Sequence, residues 1–294
     1  MDRTGDYADL HVHTTASDGV WTPAEVVRMA GAADLKAIGI ADHDTVDGLT
    51  AAVAATAKNE VEIVPGVEIN TDYRGRGIHI LGYYFDPDSS VLTAKLAQLR
   101  QARRERIEKI VLLLQDAGIR ISREHVMRLA GSGTVGRPHV ARALIELGLA
   151  SSVKDAFSRF LVQGRPGYVE RYKITPAEAV SVIRQSRGIP VLAHPGSAGM
   201  DELIPELLPH GLLGIEVFHP EHDAAATRRY ARLAREYGLL ITGGSDAHGP
   251  DYRSPTTVGT YRVPYSYVEA MRDKKAEIDR AAPLRLSAKL EEEE

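Results

Sequence analysis

Asp9-Leu10-His11-Val12-His13 sets two imidazoles two residues apart in a run that reads as a β-strand. Side chains alternate along a strand, so His11 and His13 share a face, with Cβ atoms about 7 Å apart, and can converge on one cation. Residues of the same chemical type recur along the chain: Asp18 in the loop after that strand, Asp42-His43-Asp44, Glu68, His79, His194-Pro195-Gly196, His219-Pro220 and Ser245-Asp246-Ala247-His248. Counted as ligands, His11, His13, His43, His79, His194 and His248 give six imidazoles, and Asp18, Glu68 and Asp246 give three carboxylates. A catalytic ion normally takes three or four protein ligands and keeps one position open. Nine donors therefore exceed one ion, and with one bridging carboxylate they serve three.

Charge points to the substrate. Three divalent ions against three carboxylates and neutral imidazoles leave a net charge of about +3, which suits a dianionic phosphate. Such ions bring the pKa of water down to about 7 and hold attacking and leaving oxygens in line, so phosphoester hydrolysis is the expected chemistry.

The ligand-type residues track strand ends. From Tyr7 to Phe85 short β-like runs alternate with helical ones: Ala8 to His13, a helix from Pro23 to Ala33, Lys36 to Ala41, a helix from Val46 to Lys58, then strands at Glu62 to Asn70 and Ile78 to Phe85. Thr22-Pro23 is a cap followed by proline at the first helical position. Thr71 to Gly77, between the last two strands, is too short for a crossover helix, so the βα alternation must break there. Residues 90–178 read as helices without strands: Val91 to Ala117, Arg123 to Ala130, Pro138 to Leu147 and Val153 to Leu161. The rhythm resumes with strands at Ile189 to His194, Leu213 to Phe218 and Leu239 to Gly243, separated by helices at Pro176 to Arg187, Asp201 to Leu208 and Ala224 to Tyr237. Nearly every one of these seven strands delivers a ligand-type residue at or near its C-terminal end, which implies an α/β barrel whose site sits on that rim. The expected organisation is barrel residues 1–89, a helical cap over 90–178, barrel residues 179–285 and an acidic tail at 286–294.

Composition excludes other classes. Of 294 residues, 36 are Lys or Arg and 40 are Asp or Glu, a net charge of −4, and 44% are hydrophobic, an ordinary globular balance. With no cysteine, thiolate zinc sites, cysteine nucleophiles and disulfides are excluded, and any metal is held by nitrogen and oxygen. No apolar run approaches the ~20 residues that span a bilayer, and the first residues have no signal-like core, so a cytoplasmic location without a membrane partner is expected. The mild net acidity argues against duplex DNA as a partner. Arg100, Arg103, Arg104 and Arg106 read as a solvated helix face, and His125, His210 and His222 as surface or capping residues.

The motifs Asp9-Leu10-His11-Val12-His13-Thr14, Asp42-His43-Asp44, Pro65-Gly66-Val67-Glu68, His79, Ala193-His194-Pro195 and Ser245-Asp246-Ala247-His248 resemble those of the polymerase and histidinol phosphatase (PHP) family. The resemblance implies a distorted (βα)7 barrel carrying two or three ions, manganese first, with zinc or iron as alternatives. It implies one ion on His11, His13, Glu68 and Asp246, a second on Glu68, His79 and His194, and a third on Asp18, His43 and His248. Gly136-Arg137-Pro138-His139, and Gly167-Tyr168-Val169 followed by Arg171 and Lys173, resemble the cap of the branch holding 3′,5′-nucleotide bisphosphate phosphatases and a related 5′-to-3′ exoribonuclease. Arg137, His139 and Lys173 are then the expected phosphate-binding residues. Asp246, His248 and His219 are the expected catalytic residues, His219 contacting substrate or protonating the leaving group. The expected substrate is a small phosphorylated nucleotide, with the 3′-phosphate of a 3′,5′-bisphosphate preferred. The alternatives are a short RNA end, a histidinol-phosphate-type substrate, or a noncatalytic metal-binding role.

Overall fold

The computed structural model describes residues 6–56, 61–172, 174–250 and 256–281. Its first half runs β1 (Tyr7–Val12), α1 (Pro23–Ala32), β2 (Ala37–Ile40), α2 (Gly48–Thr56), β3 (Glu62–Tyr73) and β4 (Arg76–Tyr83). Four helices follow: α3 (Ser90–Asp116), α4 (Arg123–Ala130), α5 (Arg137–Glu146) and α6 (Val153–Ala156), the last continuing as a π-helical turn over Phe157–Leu161. The second half runs α7 (Pro176–Gln185), β5 (Ile189–Leu192), α8 (Pro195–Ala198), α9 (Leu203–Leu207), β6 (Gly214–Phe218), α10 (Ala224–Glu236), β7 (Leu240–Gly243), β8 (Val263–Pro264) and α11 (Ser266–Ala281).

Helix starts follow local chemistry. Thr22 before α1 and Thr175 before α7 each form a capping box, with Glu25 and Glu178 respectively, and each is followed by proline in the first turn. The strands form one sheet in the order β7-β6-β5-β4-β3-β2-β1-β8. β1, β2 and β3 pair in parallel, as do β5, β6 and β7, whereas β4 is antiparallel to both neighbours. The break in alternation falls where the sequence requires it, but Thr71 to Gly77 is mostly strand. Only Arg74 and Gly75 lie outside the two strands, both at positive φ (53° and 82°), the geometry of a tight hairpin turn. β8 and α11 extend the architecture beyond the seven strands and the helices legible in the sequence.

The sheet nearly closes into a barrel. Val12 bridges Ala247, His13 N–H donates to Ala247 O at 3.0 Å, and Asp246 N–H donates to His11 O at 2.8 Å. Buried Asp9 fastens this seam by accepting from Ser245 N (2.9 Å), Ser245 Oγ (2.6 Å) and Gly259 N (2.8 Å). The approach is close enough to require glycine at 244, where a Cβ would lie 2.3 Å from His11 N. Leu10, Val64, Leu81, Tyr83 and Val191 pack together from four strands, with Val268 and Met271 of α11 against them.

Helices α3 to α6 have an apolar core of their own, built around Ile107, Ile110, Leu114, Val140, Leu144 and Leu161. Polar contacts that tie this layer to the barrel include Arg103 Nε to Asp44 Oδ2 (2.6 Å), Arg100 Nη1 to Thr45 Oγ1 (3.3 Å), Thr134 N to Ala16 O (2.8 Å) and Arg142 Nη2 to Asp18 O (2.5 Å).

Replacing Asp9 with alanine strands three donors at the seam, each worth about 1 kcal/mol or more when left unmade. Calorimetry of the metal-free protein is expected to show a loss of about 3 kcal/mol. A change no larger than that of a surface substitution would show that Asp9 does not hold the seam.

Candidate metal centre

Each ligand-type residue reaches the rim by a definable local device. His11 and His13 occupy the end of β1. Asp42, after β2, accepts from Thr14 N (2.8 Å), Thr14 Oγ1 (2.7 Å) and Ser17 Oγ (2.6 Å), which folds residues 14–18 back and delivers Asp18 beside His13. His43 follows Asp42 and bridges Glu68 of β3. His79 arrives from the antiparallel strand, paired in register with Asn70. His194, His219 and Ser245 to His248 come from the segments directly after β5, β6 and β7.

The donors converge. Glu68 lies at the centre: Oε1 is 2.7 Å from His79 Nδ1 and 3.1 Å from His194 Nε2, and Oε2 is 2.9 Å from His43 Nδ1 and 3.2 Å from His13 Nε2. His13 Nε2 also lies 3.1 Å from both His11 Nε2 and Asp246 Oδ1. His248 Nε2 is 3.3 Å from Asp18 Oδ1. Donor atoms group tightly enough to share an ion in the sets His11/His13/Glu68/Asp246, His13/Asp18/His43/His248 and His43/Glu68/His79. These groups take in eight of the nine sequence-derived ligand candidates, with His43 rather than His194 grouped with Glu68 and His79, and His194 adjoins them through Glu68 Oε1 at 3.1 Å.

The fit to cations rests on unmet valence. Glu68 Oε2 and Asp246 Oδ1 are buried and have no hydrogen-bond partner, although imidazole nitrogens surround them at ion-pair distance. Lone pairs that face a common space rather than one another are what a metal ion satisfies. Burial opposes ionisation of Asp18, Glu68 and Asp246, yet the neighbouring imidazoles hold all three carboxyls well below the usual range. Burial likewise opposes a proton on His13, but Asp246 and Glu68 push it up to about 10. His79 is driven the other way, down to about 4, by burial that outweighs Glu68. In the ion-free protein, protons on His11 and His13 take the place of cations.

Glu216, absent from the sequence-derived set, supports this centre. It is fully buried in β6, with Oε1 2.9 Å from His11 Nδ1 and Oε2 accepting from His194 N at 2.9 Å. It leaves His11 Nε2 facing Glu68 and Asp246 and steadies the backbone at His194 (φ 26°). Asp44 and Asp246 also occupy positive φ (53° and 49°), so three non-glycine residues of the rim hold conformations that surrounding contacts must enforce. The sequence signal for Glu216 was its position three residues before His219 on a predicted strand. Nothing local separated it from a strand residue facing solvent.

His219 is set apart by its tautomer. Its Nδ1 accepts from Glu221 N–H at 3.1 Å, so the neutral ring carries its proton on Nε2. That N–H is buried without a hydrogen-bond partner and lies 3.4 Å from Asp246 Oδ2. A protonated nitrogen does not ligate a metal. In this tautomer His219 presents a donor beside the ligand candidates, and a ring nitrogen of His219 also groups with His11 and Glu216 closely enough to share an ion.

Above the centre lies a cavity of about 470 Å³ whose lining includes Asp18, Glu68, His194, His219, Asp246 and His248 on one side and Arg103, Arg106, Arg137 and Arg171 on the other. Three expectations need correction here. Arg103 and Arg106 are not part of a solvated face, because the turn of α3 directs them into the cavity, whereas Arg104 is exposed. His139 does not line the cavity: it is buried, with Nδ1 accepting from Gly136 N at 3.0 Å, and caps α5. His222 is neither at the surface nor a simple cap, since it is buried with Nε2 accepting from Gly196 N and Nδ1 donating to Val217 O. Arg137 does face the cavity, over the Phe157 ring. Lys173 lies outside the described residues.

Residues 9–163 match the PHP domain family, and residues 225–261 match the PHP-associated family. The chain belongs to the PHP domain family. It is 37% identical to the 5′-3′ exoribonuclease Rnm of Escherichia coli over 82% of this chain and 85% of that protein. It is 34% identical to the 3′,5′-nucleoside bisphosphate phosphatase of Chromobacterium violaceum, over 82% and 87% of the two chains. Identity is 35% to a phosphoribosyl 1,2-cyclic phosphate 1,2-diphosphodiesterase of Eggerthella lenta, over 87% and 98%. Among solved structures, a candidate metal-dependent phosphoesterase from Bifidobacterium adolescentis superposes with a TM-score of 0.85 at 28% identity, covering 91% of this chain and 96% of that one. This PHP chain is a metal-dependent phosphoesterase, and no helix among its described residues is long and apolar enough to cross a membrane.

Ion binding must displace the protons on His11 and His13, so titration of metal-free PHP protein with a divalent ion is expected to release protons and to strengthen as pH rises. Calorimetry in buffers of different ionisation enthalpy reads this directly, and a buffer-independent heat would contradict it. Glu68→Gln is expected to lower bound metal and to reduce phosphoester hydrolysis by about a thousandfold or more.

Proposed function

We propose that the enzyme removes the 3′-phosphate of nucleoside 3′,5′-bisphosphates, using two or three divalent ions, with manganese preferred over zinc or iron. Residues 90–178 act as its cap. The carrying observation is the two-sided cavity: metal-ligand side chains on one wall and arginines on the other, about 470 Å³ between them. That volume falls in the lower part of the range for small-molecule pockets, ~300–1,000 Å³, and suits one nucleoside with a phosphate at each end. Phe157 and Tyr172 supply aromatic surface for a base.

His11, His13, Asp18, His43, Glu68, His79, His194, Asp246 and His248 would hold the ions. When bound, these ions supply an activated water and neutralise charge developing on the phosphoryl oxygens. Glu216 fixes His11 so that Nε2 stays on the ligand side. His219 presents Nε2–H toward the reacting group and donates a hydrogen bond to a phosphoryl or leaving oxygen. Proton transfer from a neutral imidazole would leave an anionic ring, so donation rather than full transfer is its role. Arg137 offers a cation to the phosphate from the start of α5.

A second reading uses the same geometry. If the 3′-phosphate belongs to a following nucleotide, the reaction becomes release of a 5′-terminal nucleotide from RNA. The similarity to the Escherichia coli exoribonuclease favours it. With metal-loaded protein, adenosine 3′,5′-bisphosphate is expected to yield AMP and phosphate while a 5′-phosphorylated RNA pentamer stays intact. Mononucleotides released in order from the pentamer's 5′ end would establish the exoribonuclease instead. His219→Ala is expected to lower kcat on the nucleotide by about a hundredfold without removing a limb of the pH profile. Loss of the limb would make His219 a proton donor.

A further inference from the structure

His194 is a ligand candidate on strained backbone. Its φ of 26° and ψ of 57° are costly for a residue with a Cβ, yet its Nε2 stands 3.1 Å from Glu68 Oε1. That placement needs restraint on both sides of the residue. Before it, His79 O accepts from Ala193 N at 3.1 Å and Glu216 Oε2 accepts from His194 N at 2.9 Å. After it, Pro195 has no N–H to offer. The first backbone donor beyond His194 is therefore Gly196 N, which donates to His222 Nε2 at 3.0 Å.

His222 is shaped for that contact. Its Nδ1 donates to Val217 O at 2.9 Å, which fixes the proton on Nδ1 and leaves Nε2 an acceptor. His222 N donates to His219 O at 3.0 Å, so the segment after β6 turns back and brings the ring to the segment after β5. The Tyr230 ring of α10 backs the imidazole, 5.1 Å away between centroids, and its hydroxyl donates to Asp201 Oδ1 at 3.0 Å. The approach leaves no room for a side chain at 196, where a Cβ would lie 2.5 Å from His222 Cδ2. His222 is buried, does not line the cavity and belongs to no group of candidate ligands. Both of its nitrogens are instead committed to the main chain of two successive rim segments.

We propose that His222 is a positioning residue for the metal centre: by accepting the Gly196 N–H it locks His194-Pro195-Gly196 and keeps His194 Nε2 directed at Glu68. This rests on His194 as a metal ligand and on no choice of substrate. Hydrogen bonds that orient ligands from behind are worth about ten- to a hundredfold in metal affinity. The effect is local to the ion that His194 helps to hold, because His11 and the loop carrying Asp18 have other anchors, Glu216 and Asp42.

The test follows binding of Mn2+ to metal-free wild type, His222→Gln and His222→Leu through the EPR signal of the free ion, with thermal unfolding of each metal-free protein. Glutamine can accept from Gly196 N and donate to Val217 O, whereas leucine fills the space and does neither. His222→Leu is expected to weaken one ion per chain about tenfold or more and the others by no more than about twofold, with His222→Gln within about threefold of wild type. A lowered unfolding temperature with every ion bound as in wild type overturns the proposal, as does equal weakening of all ions or a glutamine variant no better than leucine. His194→Ala is measured in parallel. If it leaves every ion unchanged, His194 is not a ligand and the proposal falls with that reading. If it weakens an ion that His222→Leu leaves alone, the positioning role alone is refuted. Should His222→Leu fail to fold, the wild-type ring decides: long-range 15N–1H correlation of the metal-free protein is expected to place the proton on His222 Nδ1 and couple Nε2 to the Gly196 N–H, and a proton on Nε2 overturns the proposal.

Discussion

Nine imidazole and carboxylate side chains face one buried space, and the arrangement is stable only when positive charge occupies it. Glu68 shows why, because one of its oxygens has nitrogens around it and no hydrogen bond. Uncompensated buried carboxylates cost several kcal/mol each, so the ion-free protein keeps protons on His11 and His13, and the holoenzyme replaces them with metal. Much of the remaining architecture serves to hold these donors against their mutual repulsion and against the entropy of the loops that carry them.

That support comes from carboxylates outside the nine ligand candidates. Asp9 holds the seam between β1 and the segment after β7, Asp42 folds the loop that presents Asp18, Asp44 joins β3 to the helical layer, and Glu216 orients His11. Each accepts from more than one donor and fixes two stretches of chain at once. The strained backbone at Asp44, His194 and Asp246 is tolerable because these anchors flank it. The helical layer adds the opposite charge. By bringing arginines to face the ligand candidates, it makes a cavity with guanidinium groups on one wall and imidazoles and carboxylates on the other.

Motif spacing was enough to identify the metal-ligand candidates, since a residue at a strand's C-terminal end has few places to go in a parallel barrel. Helix boundaries were also legible, because Thr22-Pro23 and Thr175-Pro176 carry their caps in four residues. Glu216 was hidden because a buried glutamate and an exposed one look alike in a strand of five residues. His139 was misleading because the same Gly-Arg-Pro-His stretch can aim a histidine at a ligand or back at its own cap.

By itself the sequence determined the inventory of candidate ligands, the barrel class, the absence of thiols and the place where βα alternation fails. These depend on residue identity and on spacing within one element, which local stereochemistry translates directly. Only the tertiary structure decided that Arg103 and Arg106 face a cavity instead of water, that His219 Nδ1 accepts a backbone N–H, and that Asp44 ties α3 to the segment carrying His43. Each of those depends on which surface a distant segment covers, and on which hydrogen bond a ring nitrogen finds there, and neither is set by neighbours along the chain.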